Sequence, residues 1–261
     1  MKAISFILSG KTACFRKPDV NQFAYFTYNN IHKPALLGLF GAIIGLGGYT
    51  QLNDENIRNK KDKKSLNSGF PEFYEKLQHL KISIIPLVPN GYFSKKIQNF
   101  NNGVGYANAF GAKPEERISS YNLQVREQWL ENPIWQIMIL DDGSSEYEKI
   151  KEYLENGKAV FIPYLGKNDH FADIKEVKSI ELESPILEDR IYSIFMEKDL
   201  KLSKIKPRAE NSCFFKEIAP IRLNKQYHFY EFENLIFTNH SIIEGDYLNI
   251  YSVNEKNYAF I

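Results

Sequence analysis

Residues 34–49 read PALLGLFGAIIGLGGY, and the fold turns on what this apolar run does. It is shorter than the roughly 20 residues a membrane-spanning helix needs, and it is dense in glycine. Pro34 suits the first turn of a helix. Leu36, Leu37, Phe40, Ile43 and Ile44 recur at helical spacing. The run therefore reads as a buried core helix that Gly47-Gly48 ends, with a loop after it. Gly38, Gly41 and Gly45 lower helix propensity in isolation, so their expected use is close approach of the backbone to a sheet or a ligand. The GLGGY at 45–49 is no dinucleotide fingerprint, because it closes a helix instead of opening one and lacks the G-x-G-x-x-G spacing. No Walker A sequence is present.

Working outward, Lys2–Leu8 (KAISFIL) reads as a short apolar strand bounded by Ser9-Gly10. Residues 53–68, polar and lysine-rich, are expected as an exposed mobile loop. Pro71–Leu80 reads as a short helix, and Lys81–Val88 as a buried strand despite Pro86. Ile134–Leu140 is an apolar strand. Ser144 or Ser145 then caps a helix running to Glu155, which Gly157 ends. Further strands are expected at Ala159–Pro163 and near Val177–Leu182, Phe214–Ala219, Tyr227–Phe232 and Tyr247–Val253. The order strand, helix, strand, strand, helix, strand predicts an α+β, ferredoxin-like or RRM-like unit over residues 1–165. Residues 166–261 form a β-rich region packed on it.

With 261 residues, 43 % of them hydrophobic, the chain can build a sizeable core. Its two cysteines, Cys14 and Cys213, lie far apart with no Cys or His at metal-ligand spacing. A disulfide scaffold and a zinc ribbon are thus not expected, and a reduced, cytoplasmic compartment fits. Met1–Ser9 lacks a cleavage-site pattern, so no signal peptide is expected. The net charge of +1 hides an asymmetry: residues 1–130 carry 17 Lys/Arg against 9 Asp/Glu, and residues 131–261 carry 16 against 23. A basic half points to a polyanion partner; solvated surface is the plainer alternative, and both stay open.

Pro89–Arg126 holds four glycines, several cations and the aromatics Tyr92, Phe93, Phe100, Tyr106, Phe110 and Tyr121, with little apolar periodicity. So long a loop in a globular domain is usually functional or disordered. Phe15-Arg16-Lys17 follows the first strand, and Lys95-Lys96 and Arg117 lie in the glycine-rich stretch. Cations match phosphates, aromatic faces stack on unpaired bases, and glycines admit close backbone approach. Catalytic signatures are absent. None of the five histidines falls in a metal pattern, Ser/His/Asp and Cys/His nucleophile motifs are missing, and Asp141-Asp142 reads as a turn.

Phe6-Ile7-Leu8-Ser9-Gly10, Phe15-Arg16-Lys17-Pro18, Tyr28, Pro34-Ala35-Leu36-Leu37-Gly38 and Ala42-Ile43-Ile44-Gly45-Leu46 together resemble the N-terminus of the Cas-five family, RAMP-type subunits of type I CRISPR complexes. Arg126-Glu127-Gln128-Trp129-Leu130 with Asn132-Pro133, and Pro163-Tyr164-Leu165-Gly166-Lys167-Asn168, are similar to later stretches of that family, and the pattern is nearest its type I-B branch. The resemblance covers residues 3–170. It implies an RRM-like domain with a protruding thumb, here the insertion at about 90–126. It also implies a subunit that holds the 5′ handle of the CRISPR RNA, contacts the backbone subunit and the large subunit of Cascade, and meets target DNA near the PAM through the complex. No cofactor, metal or membrane is implied.

On this reading Arg16, Lys17, Lys95, Lys96, Arg117 and Arg126 pair with phosphates. Phe15, Tyr49 and Tyr106 stack on bases or shape the pocket. Gly38, Gly45 and Gly166 admit RNA or sheet, with Lys167 beside Gly166. No catalytic residue is expected. The alternative is a metal-independent endoribonuclease that uses Tyr49 or Tyr28 with His32 and Lys33. The insertion's Lys113 lacks the neighbouring histidine that the RNA-cleaving type I-C branch would need.

Overall fold

Strand β1 (Lys2–Ser9) is apolar on both faces because both are covered. Ile4, Phe6 and Leu8 enter one buried cluster and Ala3 enters another. The same period-2 split recurs in two further strands, β3 (Ile82–Pro86) and β6 (Ile134–Leu140). Ile82, Ile84, Trp135, Ile137 and Ile139 face the first cluster, and Ile85, Met138 and Leu140 the second. A computed structural model describes residues 1–19, 23–104, 121–187, 189–203 and 211–261. The other elements in chain order are β2 (Thr12–Ala13), α1 (Lys33–Ile44), α2 (Tyr49–Lys61), α3 (Glu72–Leu77), β4 (Lys95–Val104), β5 (Tyr121–Glu131) and α4 (Ser145–Glu155). They continue with β7 (Asp173–Glu181), β8 (Phe195–Met196), β9 (Leu200–Leu202), β10 (Phe214–Leu223), β11 (Tyr230–Thr238), β12 (Ile242–Gly245), β13 (Ile250–Val253) and β14 (Lys256–Ala259).

The central sheet runs β3-β6-β1-β7 with every pair antiparallel, in a register set by Ile4↔Ile139 and Ile82↔Ile139. One face is covered by α1, through Leu36, Leu37, Phe40, Ile43 and Ile44, and by α4, through Tyr147, Ile150 and Leu154. The other face meets Leu182, Tyr258 and Phe260. The chain is thus a mixed α/β structure with mostly antiparallel sheets and few helices. The expected boundary at 165/166 falls before β7, which is hydrogen-bonded to β1, so the N-terminal sheet runs past it. Smaller sheets, β10-β11-β8, β9-β12 and β13-β14, make up the later part of the chain. Among the described residues no single helix is long and apolar enough to cross a membrane.

Three local expectations are corrected. Residues 49–61, of which 53–61 were expected in a mobile loop, are helix α2. This helix buries no residue, so apolar periodicity could not reveal it. Its ends are what hold it: Gln51 Oε1 accepts from the Gly48 N–H (2.9 Å) at the start, and Arg58, Lys60 and Lys61 stand at the negative end of its dipole. Ala159–Pro163 is not a strand: Val160 and Phe161 N–H donate to the carbonyls of Ile43 (2.9 Å) and Ala42 (3.1 Å), satisfying orphan acceptors at the end of α1. The long glycine-rich loop is, where described, a paired ribbon of β4 and β5 running from Lys95↔Leu130 to Val104↔Tyr121.

His32 is the N-cap of α1, its Nδ1 accepting from Ala35 N–H at 3.3 Å. Burial pushes its pKa down to about 3, below the ordinary 6.5 it regains on unfolding. The neutral ring is therefore what the fold requires. Its contribution is whole above pH 6.5 and is lost as pH falls toward 3, at up to roughly 1 kcal/mol per pH unit. His32→Asn keeps a capping acceptor and should flatten that slope. Urea titrations between about pH 7 and about pH 5 read it; parallel losses in both proteins would exclude His32 as the source.

Candidate nucleic-acid interface

Helix α1 turns its large side chains into the core and leaves Ala35, Gly38 and Ala42 half-buried along its outer side. These small residues floor an open groove of about 880 Å³. Arg16, Glu127 and Lys167 line it together with the exposed rings of Phe161 and Tyr164, and Tyr230 and Gln51 line it as well. The turn carrying Tyr164 and Lys167 is stitched down by Cys14 N–H donating to the Leu165 carbonyl (3.1 Å) and by Leu165 N–H donating to the His170 carbonyl (2.7 Å).

Glu127 is buried at the groove's edge. Lys167 Nζ donates to both its oxygens, at 2.9 and 2.7 Å, and Trp129 Nε1 donates at 3.0 Å. Burial pushes the carboxyl pKa up, but the hydrogen bonds from Lys167 and Trp129 outweigh it and hold the group below its ordinary value. Glu127 thus stays ionised and fixes the Lys167 ammonium beside the groove.

Of the residues expected to touch RNA, the structure brings Phe15, Arg16, Gly38, Gly166 and Lys167 to this groove, though not all in the expected role. Arg16 is exposed, its guanidinium stacked 3.4 Å over the Tyr25 ring. Gly38 has open space: a Cβ there would meet only Phe73, at 3.9 Å. Other expectations change. Phe15 is no surface stacker; it is 3 % exposed and packs edge-on against Trp135 and His32. Lys17 is drawn into an ion pair with the buried Glu217 at 3.4 Å. Gly45 serves as the left-handed C-cap of α1 at φ 80°, with Val160 against it. Gly166 lines the groove, yet what its missing side chain admits is the chain's own backbone, since a Cβ would lie 2.0 Å from the Cys14 carbonyl oxygen.

Tyr49 begins α2 and is exposed, its ring 5.7 Å from that of His228. Lys95, Lys96 and Arg126 lie on the β4–β5 ribbon. Lys96 and Arg126 are exposed, and Lys95 is half-buried, its pKa lowered by burial. Tyr106 and Arg117 lie outside the described residues. Sequence reasoning missed Phe161, Tyr164, Tyr230 and Glu127. Ala159–Pro163, leading into Tyr164, reads as a strand by composition; attached instead to the end of α1, it leaves the rings of Phe161 and Tyr164 exposed.

The candidate cleavage residues do not form one cluster of free groups. Tyr28 and His32 meet, ring centroids 5.3 Å apart, but both are buried, and burial pushes the Tyr28 hydroxyl pKa up while it pushes that of His32 down. Lys33 is pushed down to about 8 by burial and then by Lys81. Asp141 and Asp142 accept from Gly143 N–H (3.0 Å) and Ser144 N–H (2.9 Å), as turn residues do.

No protein-family model matches the sequence, and no curated protein matches it significantly. Solved structures do match. A chain described as "CRISPR RNA-guided surveillance complex" superposes with a TM-score of 0.53 over 92 % of this chain and 91 % of its own, at 11 % identity. A CRISPR protein from Archaeoglobus fulgidus gives 0.45 over 99 % and 98 %, at 11 % identity. A chain of the Type III-B Cmr-beta bound to cognate target RNA gives 0.45 over 92 % and 85 %, at 12 % identity. Along nearly its whole length, this chain has a fold similar to that of a chain in a CRISPR RNA-guided surveillance complex.

Proposed function

We propose that the chain is a CRISPR-associated, non-catalytic subunit that grips single-stranded CRISPR RNA. The groove carries the reading: one open concavity joins a fixed cation pair, Arg16 and Lys167, to exposed rings over a small-residue floor. The cationic β4–β5 ribbon meets it at Glu127. Phosphates are attracted, bases are offered faces, and among the described residues the groove presents no free acid–base pair. The finer assignment is a Cas-five-type role. An RRM-like body with the ribbon as thumb would hold the 5′ handle in a type I, specifically I-B, complex. The backbone and large subunits would be its neighbours, and target DNA near the PAM would be met through the assembly.

Lys95→Ala with Lys96→Ala tests it. On single strands each phosphate contact contributes a salt slope of about 0.7 and hence roughly fourfold in affinity near 0.15 M salt. The double variant should bind repeat-derived RNA about tenfold more weakly, with a shallower slope. Equal affinity and equal slope would count against the reading. Cleaved repeat RNA appearing with the purified chain in EDTA would replace it with an endoribonuclease.

A further inference from the structure

Four cations around the base of the ribbon each lie over an aromatic ring, but at two kinds of distance. Arg16 is in contact with Tyr25 at 3.4 Å, and Lys17 sits 5.1 Å over Tyr28, which is 2 % exposed. Arg16 thus occupies one Tyr25 face, and Tyr28 is buried. Lys96 and Lys167 stand off at 5.7 Å from Trp129 and 5.6 Å from Phe100, rings that are only partly buried. Strand alternation puts Lys96, Phe100, Glu127 and Trp129 on one face of the ribbon, since Lys96 pairs with Trp129, Gln98 with Glu127 and Phe100 with Val125. Glu127 and Lys167 tie this face to the groove.

The Trp129 ring is also held in place. Its Nε1 donates to Glu127, and the His170 ring stands perpendicular to it (87°), with centroids 4.7 Å apart. His170 is fixed in turn by a 2.6 Å hydrogen bond between its Nδ1 and Thr12 Oγ1. A partly exposed indole, held by Glu127 and the His170 ring with the exposed Lys96 standing 5.7 Å off it, is preorganised to receive a flat apolar face.

We infer that Trp129 and Phe100 are stacking positions for unpaired bases, and that the exposed Lys96 leaves the Trp129 ring for a flanking phosphate when the strand binds, while Lys167 stays on Glu127. A stacked base outweighs an exposed ammonium over a ring, so the exchange runs toward the bound strand. The inference rests on the RNA-gripping reading and adds which rings, on the ribbon face beside the groove, hold the bases.

The two tryptophans make it readable, because Trp135 is fully buried and Trp129 is not. A short single-stranded oligoribonucleotide should quench tryptophan emission of the native protein. Trp129→Phe should abolish the quench while affinity stays within about threefold, since a ring remains. An abasic oligomer with the same phosphates should bind the native protein about tenfold more weakly at an unchanged salt slope. RNA that binds with unaltered emission, or abasic and intact strands that bind equally, would overturn base stacking and leave the phosphate grip standing. No binding of either strand would overturn both.

Discussion

Gly166→Ala should destabilise the protein by at least about 3 kcal/mol, whereas Gly143→Ala should cost only about 1 kcal/mol. Both glycines sit in the left-handed region, at φ 88° and 74°, so the backbone penalty for a Cβ is nearly common to them. What differs is space. Around Gly143 nothing lies within 4 Å of the added carbon, while at Gly166 it would lie 2.0 Å from the Cys14 carbonyl oxygen and 3.1 Å from the Phe15 ring. The clash is with backbone that cannot swing aside, because the adjoining Cys14 N–H is hydrogen-bonded to the Leu165 carbonyl. Relief would have to separate the turn at 163–168 from the segment after β2, and Arg16 and Lys167 would separate with it. Chemical denaturation of the two variants measures the difference. Equal midpoints would mean that the close approach at Gly166 is not a constraint.

That glycine marks the limit of what the sequence shows. A Gly-Lys-Asn turn after a short apolar run signals a position that tolerates no side chain, but not what occupies the space; the occupant, Cys14, lies about 150 residues away in the chain. The central sheet was legible for the opposite reason. Strands β1, β3 and β6 are buried on both faces and read as short apolar runs, and α1 and α4 have their apolar faces and end signals written locally. Helix α2 was not legible because it has no buried face, and the β4–β5 ribbon because polar residues such as Gln98, Asn99 and Gln124 leave no apolar alternation. In the groove, Arg16 and Gly38 were singled out from residue type and neighbours and Lys167 from the resemblance, and the fold brings the three together. Phe15 was misplaced because an aromatic next to two cations reads alike whether it points in or out. Glu127 was passed over because its importance lies wholly in its partners, Lys167 and Trp129.

The partners also rank the cations, and the ranking yields the largest expected functional effect. Lys17 and Lys167 each neutralise a buried carboxylate, Glu217 and Glu127, so a phosphate must compete with that carboxylate for them. Arg16 and Arg126 are exposed, and among the described residues neither has a carboxylate within ion-pair range. Their charge is fully available to an incoming strand. Arg16→Glu combined with Arg126→Glu removes two phosphate contacts and sets two negative charges beside the path, a change of four charge units. At roughly fourfold per unit near 0.15 M salt, RNA affinity should fall by at least about 100-fold, and the salt slope should drop by about 3. The fold should hardly notice: Arg16 loses its stack on Tyr25, a contact of about 1 kcal/mol at an exposed site, and the Arg126 side chain has no ion-pair partner among the described residues. Fluorescence polarisation with labelled single-stranded RNA across a salt series, paired with melting curves, separates the two effects. If the variant melts like the parent and binds RNA as tightly, neither Arg16 of the groove nor Arg126, on the ribbon face opposite Glu127, meets phosphate, and the groove serves another ligand.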